Sequence, residues 1–141
     1  MHLKTKVKKE MQNLRINVAT NYILVYPEKY ETMKFTLDSA LEAKLEIANF
    51  DNAIVYPTYP LYLQEIQNKI KLSHNYSGFG HYSYDAKNLT SNHLSVIEIS
   101  DFRNYALNKY HNDDGYLKVV ENKFGSELRK NLEETTAIKL K

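Results

Sequence analysis

Apolar residues recur every three or four positions in three stretches of the first half of the chain, with charged residues mostly between them. This spacing is typical of amphipathic helices. It predicts a basic N-terminal helix over residues 3–18, a second helix over 31–49 and a third over 60–72, with Pro60 in its first turn. In the third helix we expect a buried stripe that consists of Leu63, Ile66 and Ile70.

Short runs of β-branched and aromatic residues predict the strands. Residues 22–26 and 52–56 each end in a tyrosine followed by proline, an echo that indicates either a degenerate repeat or a chance recurrence. Residues 94–99 have the strongest strand pattern, so we expect a central strand there. Residues 80–84 are expected to pair with it as the other arm of a hairpin, because their tyrosines lie two positions apart and would share one face.

Helical spacing returns in the last third of the chain. It predicts a helix capped by Ser100 or Asp101 and a last helix that begins near Gly115, with Gly125 weakening its middle. The whole pattern predicts a helix-rich α+β fold, with about five helices around a small sheet of two to four short strands, in one domain over residues 1–141. An α/β fold is the alternative, because strand-like runs repeatedly precede helices, as parallel strands require.

The apolar positions of these elements also predict a core. At 141 residues, of which 43% are hydrophobic, the chain is long enough to bury roughly two-thirds of its unfolded surface. The residues expected in this core are Leu37, Leu41, Ile66, Ile97, Ile99, Phe102 and Leu128.

The composition of the chain excludes some cellular locations and some kinds of metal site. The chain has no long apolar run, and its lysine-rich start lacks the apolar segment of a signal peptide, so we expect a cytoplasmic protein with no membrane span. Cysteine is absent, which excludes disulfides and thiolate metal sites. The net charge of +2 is uneven, because residues 1–15 sum to +4 and the rest of the chain to −2. Nucleic-acid binding through the basic N-terminus is therefore an alternative, although such domains usually have a broader basic face.

The helical pattern stops at residues 73–93, which are rich in tyrosine, histidine and glycine. Tyrosine combines a large apolar face with a hydroxyl group, and it is enriched where a partner buries a surface. Loops on a rigid scaffold often carry recognition, so we expect a binding surface in this loop. The residues predicted to bind are Phe79, His81, Tyr82, Tyr84 and Lys87. Alternatively, the rings pack onto the helices, or they stack on unpaired bases.

Motifs for catalysis or metal binding are incomplete. The chain contains neither a Gly-x-Ser-x-Gly nucleophile motif nor a complete glycine-rich phosphate loop. Residues 110–121 resemble an EF-hand loop in their Gly115 and Glu121, but Tyr110 stands where the first aspartate belongs and Lys118 adds a positive charge. The sequence therefore predicts a polar turn at this point, with no metal and no cofactor.

Two classes of function are consistent with these patterns. The first is a non-enzymatic cytoplasmic binding or regulatory protein, of the compact kind common among phage and mobile-element accessory factors, that recognises a protein partner through an aromatic-rich surface. The alternative is a small hydrolase or nuclease, whose side chains for acid–base chemistry would be His81, Asp85, Asp101 or His111. An enzyme of this kind requires at least two of the histidines with a carboxylate around one cleft, so the positions of the histidines discriminate between the classes.

Overall fold

The computed structural model of the protein is a helix-rich α+β fold, which confirms the predicted class. It describes residues 7, 10–24, 29–81, 83, 86, 88–89, 91 and 93–136. Residues 7 and 10–13 are helical, and we call the segment at residues 10–13 α1. The elements that follow are β1 (Ala19–Leu24), α2 (Tyr30–Ala43), β2 (Ile47–Asn52), α3 (Pro60–Gln67), a 3₁₀ turn (Tyr76–Phe79), α4 (Val96–His111), α5 (Asp114–Phe124) and α6 (Ser126–Thr136).

Two parallel strands, β1 and β2, form the sheet of the described residues. Their register runs from the pair Ala19–Ile47 to the pair Leu24–Asn52, and α2 joins them. Parallel strands need a crossover of this kind, so the chain contains one βαβ unit, the connection on which the α/β alternative was based. The strand predicted over 22–26 is confirmed as far as Leu24, and residues 25 and 26 lie outside the described residues.

The second strand lies earlier in the chain than the sequence predicts. The strand expected over 52–56 is wrong, because β2 ends at Asn52 and Ile54 forms an isolated bridge with Asn88. The predicted helix over 31–49 is too long, because β2 already begins at Ile47. Lys44 adopts a left-handed φ of 47°, so α2 ends and the residues that follow enter the strand.

The first helix also ends before its predicted boundary at residue 18. Arg15 adopts a φ of 59°, which turns the chain out of the helix. Val18 then lies buried with Ala43 and Leu45 in a small cluster at the entry to β1. Both overlong predictions arise because apolar residues near a sheet continue the helical spacing by coincidence.

The central strand predicted over 94–99 is wrong, because this stretch begins α4. Ser95 caps the helix: its hydroxyl accepts a hydrogen bond from the Glu98 N–H, and the Glu98 carboxylate accepts from the Ser95 N–H at 2.8 Å and from its hydroxyl at 2.7 Å. This reciprocal capping box nucleates a helix despite the β-branched residues. The strand with which residues 80–84 were expected to pair is therefore absent, and residues 82 and 84 lie outside the described residues. The cap predicted at Ser100 or Asp101 lies inside the helix.

The main core lies between the inner face of the sheet and helices α2, α4 and α5. The predicted core residues Leu37, Ile99 and Phe102 are buried, and Leu41 packs half-buried against them. The other three predicted core residues are exposed, namely Ile66, Ile97 and Leu128. Leu128 lies on a helix of its own, because the predicted last helix is broken: Gly125, with a φ of 94°, separates α5 from α6.

Helix α3 rests on a separate, smaller apolar cluster. Val55, Leu72 and Leu89 form this cluster, and Leu61 and Tyr62 pack against it from α3. The main core does not extend to α3 in the described part of the chain. One face of α3 therefore packs on this small cluster, and its opposite face makes no contact with the main core.

Candidate functional site

Helix α3 turns Glu65 inward beside Leu61 and Tyr62, and it presents Leu63 and Ile66 to solvent. Leu63 and Ile66 are 55% and 50% exposed, whereas Glu65 is 8% exposed. The predicted buried stripe of Leu63, Ile66 and Ile70 is therefore wrong. The periodic spacing correctly places apolar residues on one side of the helix, but it does not show whether the core or solvent covers that side.

Local backbone signals fix where α3 begins and ends. Tyr59 is the N-cap and Pro60 follows at the first helical position, where a missing N–H costs no hydrogen bond. At the other end, Lys69 has a left-handed φ of 59°; its N–H donates to the Ile66 carbonyl, and the Ile70 N–H donates to the Glu65 carbonyl, both at 3.0 Å. This pair of bonds is a Schellman motif, with a lysine in the position that usually holds glycine.

Four exposed residues at helical spacing line the outer side of this segment. We call them the α3 face: Tyr59, Leu63, Ile66 and Ile70. Leu63 and Ile66 lie three positions apart on α3 itself, whereas Tyr59 is its N-cap and Ile70 follows the left-handed Lys69. The sequence does show the apolar spacing of an exposed interaction face, but a helix buried in a core has the same spacing.

The charge around the α3 face has one sign. Between Asp51 and Asp85 the sequence has a single acidic residue, Glu65, which is buried. Lys69 and Lys71 are exposed just after the helix. The surface is thus apolar along the helix and basic at its C-terminal end.

An aromatic cluster forms around Tyr56, immediately before α3. Its ring centroid lies 6.1 Å from that of Phe79, and its hydroxyl lies 3.4 Å from Nε2 of His81. Nδ1 of His81 is buried without a hydrogen-bond partner in the described part of the chain. Tyr76, on the same 3₁₀ turn as Phe79, is 96% exposed.

The aromatic loop predicted to bind is described in part. Phe79 and His81 are half-buried, and they pack beside Tyr56 rather than projecting into solvent. Tyr82, Tyr84 and Lys87 lie outside the described residues. Sequence reasoning missed Tyr56 and the α3 face, because both were assigned to the interior or to a strand.

The side chains of the hydrolase alternative make separate local contacts. His81 lies against Tyr56, whereas His111 lies on the last turn of α4, with Nδ1 2.8 Å from the Leu107 carbonyl oxygen. Asp101 is exposed on α4, and Asp85 lies outside the described residues. Between described residues, no hydrogen bond or ion pair joins any two of His81, Asp101 and His111. The described members of this set thus form no acid–base pair with one another.

The EF-hand-like stretch forms a turn followed by a helix. Asp113 caps α5 by accepting a hydrogen bond of 2.9 Å from the Tyr116 N–H, and Glu121 accepts one of 2.6 Å from Arg129. Tyr110 is buried, and α5 begins at Asp114, inside the would-be loop. Across the described residues, no group of three or more histidine, aspartate or glutamate side chains is placed to hold a metal ion.

The basic N-terminal lysines, Lys4, Lys6, Lys8 and Lys9, lie outside the described residues, so the nucleic-acid alternative at this end stays a prediction. None of the helices described is both long enough and apolar enough to cross a membrane. No family model, curated protein or solved structure matches the chain.

Proposed function

We propose that the protein is a non-enzymatic binding protein that recognises a protein partner through the α3 face and the aromatic residues beside it. The observation that carries this proposal is the inverted burial of α3, in which Leu63 and Ile66 face solvent and Glu65 faces inward. Leu61 and Tyr62 already hold the inner side of the helix, so the fold does not use the apolar surface of Leu63 and Ile66.

The apolar content of the face favours a macromolecular partner. Single exposed apolar residues are ordinary on protein surfaces, but a contiguous row with aromatic neighbours marks an interaction site. The row begins at Tyr59, three residues after Tyr56, and tyrosine is enriched in interfaces. A helix of eight residues offers about two turns, which suits docking against an apolar groove or a partner helix.

Charge indicates the chemistry of that partner. Lys69 and Lys71 carry the exposed charges next to the face, so a partner with acidic residues at the edge of an apolar patch is complementary. Nucleic acid is less well matched, because two lysines on a largely apolar surface neutralise few phosphates. A protein segment that is apolar in its middle and acidic at one end fits best.

Affinity capture from the host lysate tests the proposal, with and without nuclease treatment. The baits are the wild type, the double variant Leu63→Ser/Ile66→Ser and the control Ile97→Ser, which changes an isoleucine that is also exposed on a helix. We expect the wild type and the control to retain the same nuclease-resistant protein, and the double variant to lose it. Each α3 substitution should weaken binding by at least about 1 kcal/mol.

The melting temperature of each bait separates lost binding from lost folding. Because both substituted side chains are about half exposed, each serine should change the free energy of unfolding by no more than about 0.5 kcal/mol. Retention of the partner by the double variant would contradict the proposal, and so would a partner that nuclease removes.

A further inference from the structure

A cleft walled by aromatic rings lies between α2 and α4, separate from the α3 face. It consists of two adjoining cavities of about 340 and 230 Å³. Both are lined by Tyr30, at the start of α2, and by Phe102 and Tyr105 on α4. The larger volume falls within the range of pockets that hold small molecules.

The rings of Tyr30 and Tyr105 both contact the Phe102 ring at the cleft. Phe102 is buried and forms its floor, with the Tyr30 ring edge-on to it at a centroid distance of 5.5 Å. The Tyr105 ring is tilted by 59° against Phe102 at 5.9 Å. Tyr30 and Tyr105 are both more than half exposed, so part of each side chain is open to a ligand in the cleft.

The two ends of the cleft differ in charge. The larger cavity is lined by two acidic residues, Glu98 and Asp101, and by no lysine, arginine or histidine among the described residues. Hydrogen bonds from the Ser95 N–H and hydroxyl lower the pKa of Glu98, so that this carboxylate is ionised at neutral pH. The smaller cavity is lined by two lysines and one aspartate, namely Lys34, Lys109 and Asp38.

We propose that the larger cavity binds a small organic cation, with an ammonium or quaternary ammonium group held against the rings of Tyr30, Phe102 and Tyr105 beside Glu98 and Asp101. The faces of aromatic rings attract cations, and several rings around one cavity are the usual means of recognising quaternary ammonium groups. The carboxylates add Coulomb attraction and disfavour anions. This site does not depend on the function proposed for the α3 face.

Isothermal titration calorimetry with choline and with tetramethylammonium tests this proposal on the full chain. The uncharged carbon analogue of choline, 3,3-dimethylbutan-1-ol, is the matched neutral probe. We expect saturable binding of both cations and markedly weaker binding of the alcohol. Tyr105→Leu and Asp101→Asn should each weaken choline binding about two- to fivefold, the effect of one cation–π or charge contact at an exposed site.

Two control variants remove an aromatic ring and a carboxylate at positions outside the cleft. Tyr76→Leu removes an exposed ring and Glu127→Gln an exposed carboxylate, and neither lines the cleft, so both should bind choline as the wild type does. Asp101 is exposed on α4, so Asp101→Asn keeps the test valid even if Tyr105→Leu impairs folding. The proposal is overturned if neither cation binds, if the alcohol binds as tightly as choline, or if Asp101→Asn binds choline like the wild type.

Discussion

The phenol of Tyr110 donates a hydrogen bond of 2.7 Å to the carbonyl oxygen of Leu45, and both residues are fully buried. This bond joins the last turn of α4 to the chain that enters β2. The Tyr110 ring also packs against Phe50 and Tyr116, at centroid distances of 6.0 and 4.7 Å. Burial raises the pKa of the Tyr110 phenol well above its usual value, so the group stays protonated and remains a donor.

Removal of this hydroxyl should therefore destabilise the fold. Tyr110→Phe keeps the ring but leaves a buried carbonyl without its donor, and we expect a loss of about 1–3 kcal/mol in the free energy of unfolding. Urea denaturation measures the change. Tyr76→Phe is the matched control, because the hydroxyl of Tyr76 lies in solvent, and it should have almost no effect. Equal stability of the two variants would contradict the role of the bond.

Glu46 is a buried carboxylate that joins three parts of the chain. It accepts hydrogen bonds from the Val18 N–H at 3.0 Å and from the Gln12 side chain at 3.3 Å, and it forms an ion pair with Lys123 of α5. Burial alone would raise the pKa of Glu46, but the bonds from Lys123, Val18 and Gln12 outweigh it and lower the pKa below its usual value. A carboxyl group of this kind stabilises the fold above its unfolded pKa of about 4.3, and that contribution is lost as pH falls through the folded pKa.

Glu46→Gln should consequently show a pH-dependent deficit. At pH 7 we expect the variant to be less stable than the wild type by about 1.5–3 kcal/mol, the range for hydrogen bonds to a charged group. The deficit should shrink as the pH falls below about 4.3, the unfolded pKa, and it should vanish once the pH passes below the lowered pKa of the folded wild-type carboxyl. Urea denaturation over this range measures it, with Glu134→Gln as an exposed control. A deficit that does not vary with pH would count against the ion pair.

A pair of isoleucines distinguishes the helix at 96–111 from the strand that the sequence suggested. In a strand Ile97 and Ile99 would share one face, whereas in α4 the first is 72% exposed and the second 4% exposed. Ile99→Ala should cost about 2–5 kcal/mol and Ile97→Ala less than about 0.5 kcal/mol. Thermal denaturation of both variants decides the matter, and similar losses would restore the strand.

Gly125 allows the turn between α5 and α6. Its φ of 94° lies in a region that side chains rarely adopt, and no atom lies within 4 Å of the position a Cβ would take. Gly125→Ala should therefore destabilise through backbone strain alone, by about 1–3 kcal/mol. Gly80→Ala is the control, since its φ of −92° is ordinary and its Cβ would meet other atoms at van der Waals distance. A melting temperature for Gly125→Ala as high as that of Gly80→Ala would refute the assigned strain.

The parts of the fold that sequence spacing predicted correctly are those in which one apolar face meets the main core. Leu37 on α2 and Phe102 on α4 are examples, and both are buried as expected. The boundaries were less predictable. Lys44 and Arg15 end helices in left-handed conformations that usually signal glycine, so the residue types gave no warning.

The other wrong predictions arise where residue propensity or spacing favours one structure and a cap or a tertiary contact favours another. The run at 94–99 is rich in β-branched residues, yet the capping box of Ser95 and Glu98 starts a helix there. The apolar stripe of α3 is real, but the sequence does not show that the helix rests on its opposite side, with Glu65 inward. The sequence therefore placed the candidate site in the aromatic loop. In the structure, Phe79 and His81 of this loop contact Tyr56, which lies just before α3.

Site-specific photo-crosslinking tests the central claim, recognition through the α3 face, most directly. A benzophenone amino acid replaces either Ile66 on the α3 face or Ile97 on α4, both of which are exposed on helices, and the protein is irradiated in the host lysate. We predict one protein crosslinked from position 66 and absent from position 97, competed away by unlabelled wild type but not by Leu63→Ser/Ile66→Ser. Crosslinking of the same protein from both positions, or of nucleic acid alone from position 66, would contradict the claim.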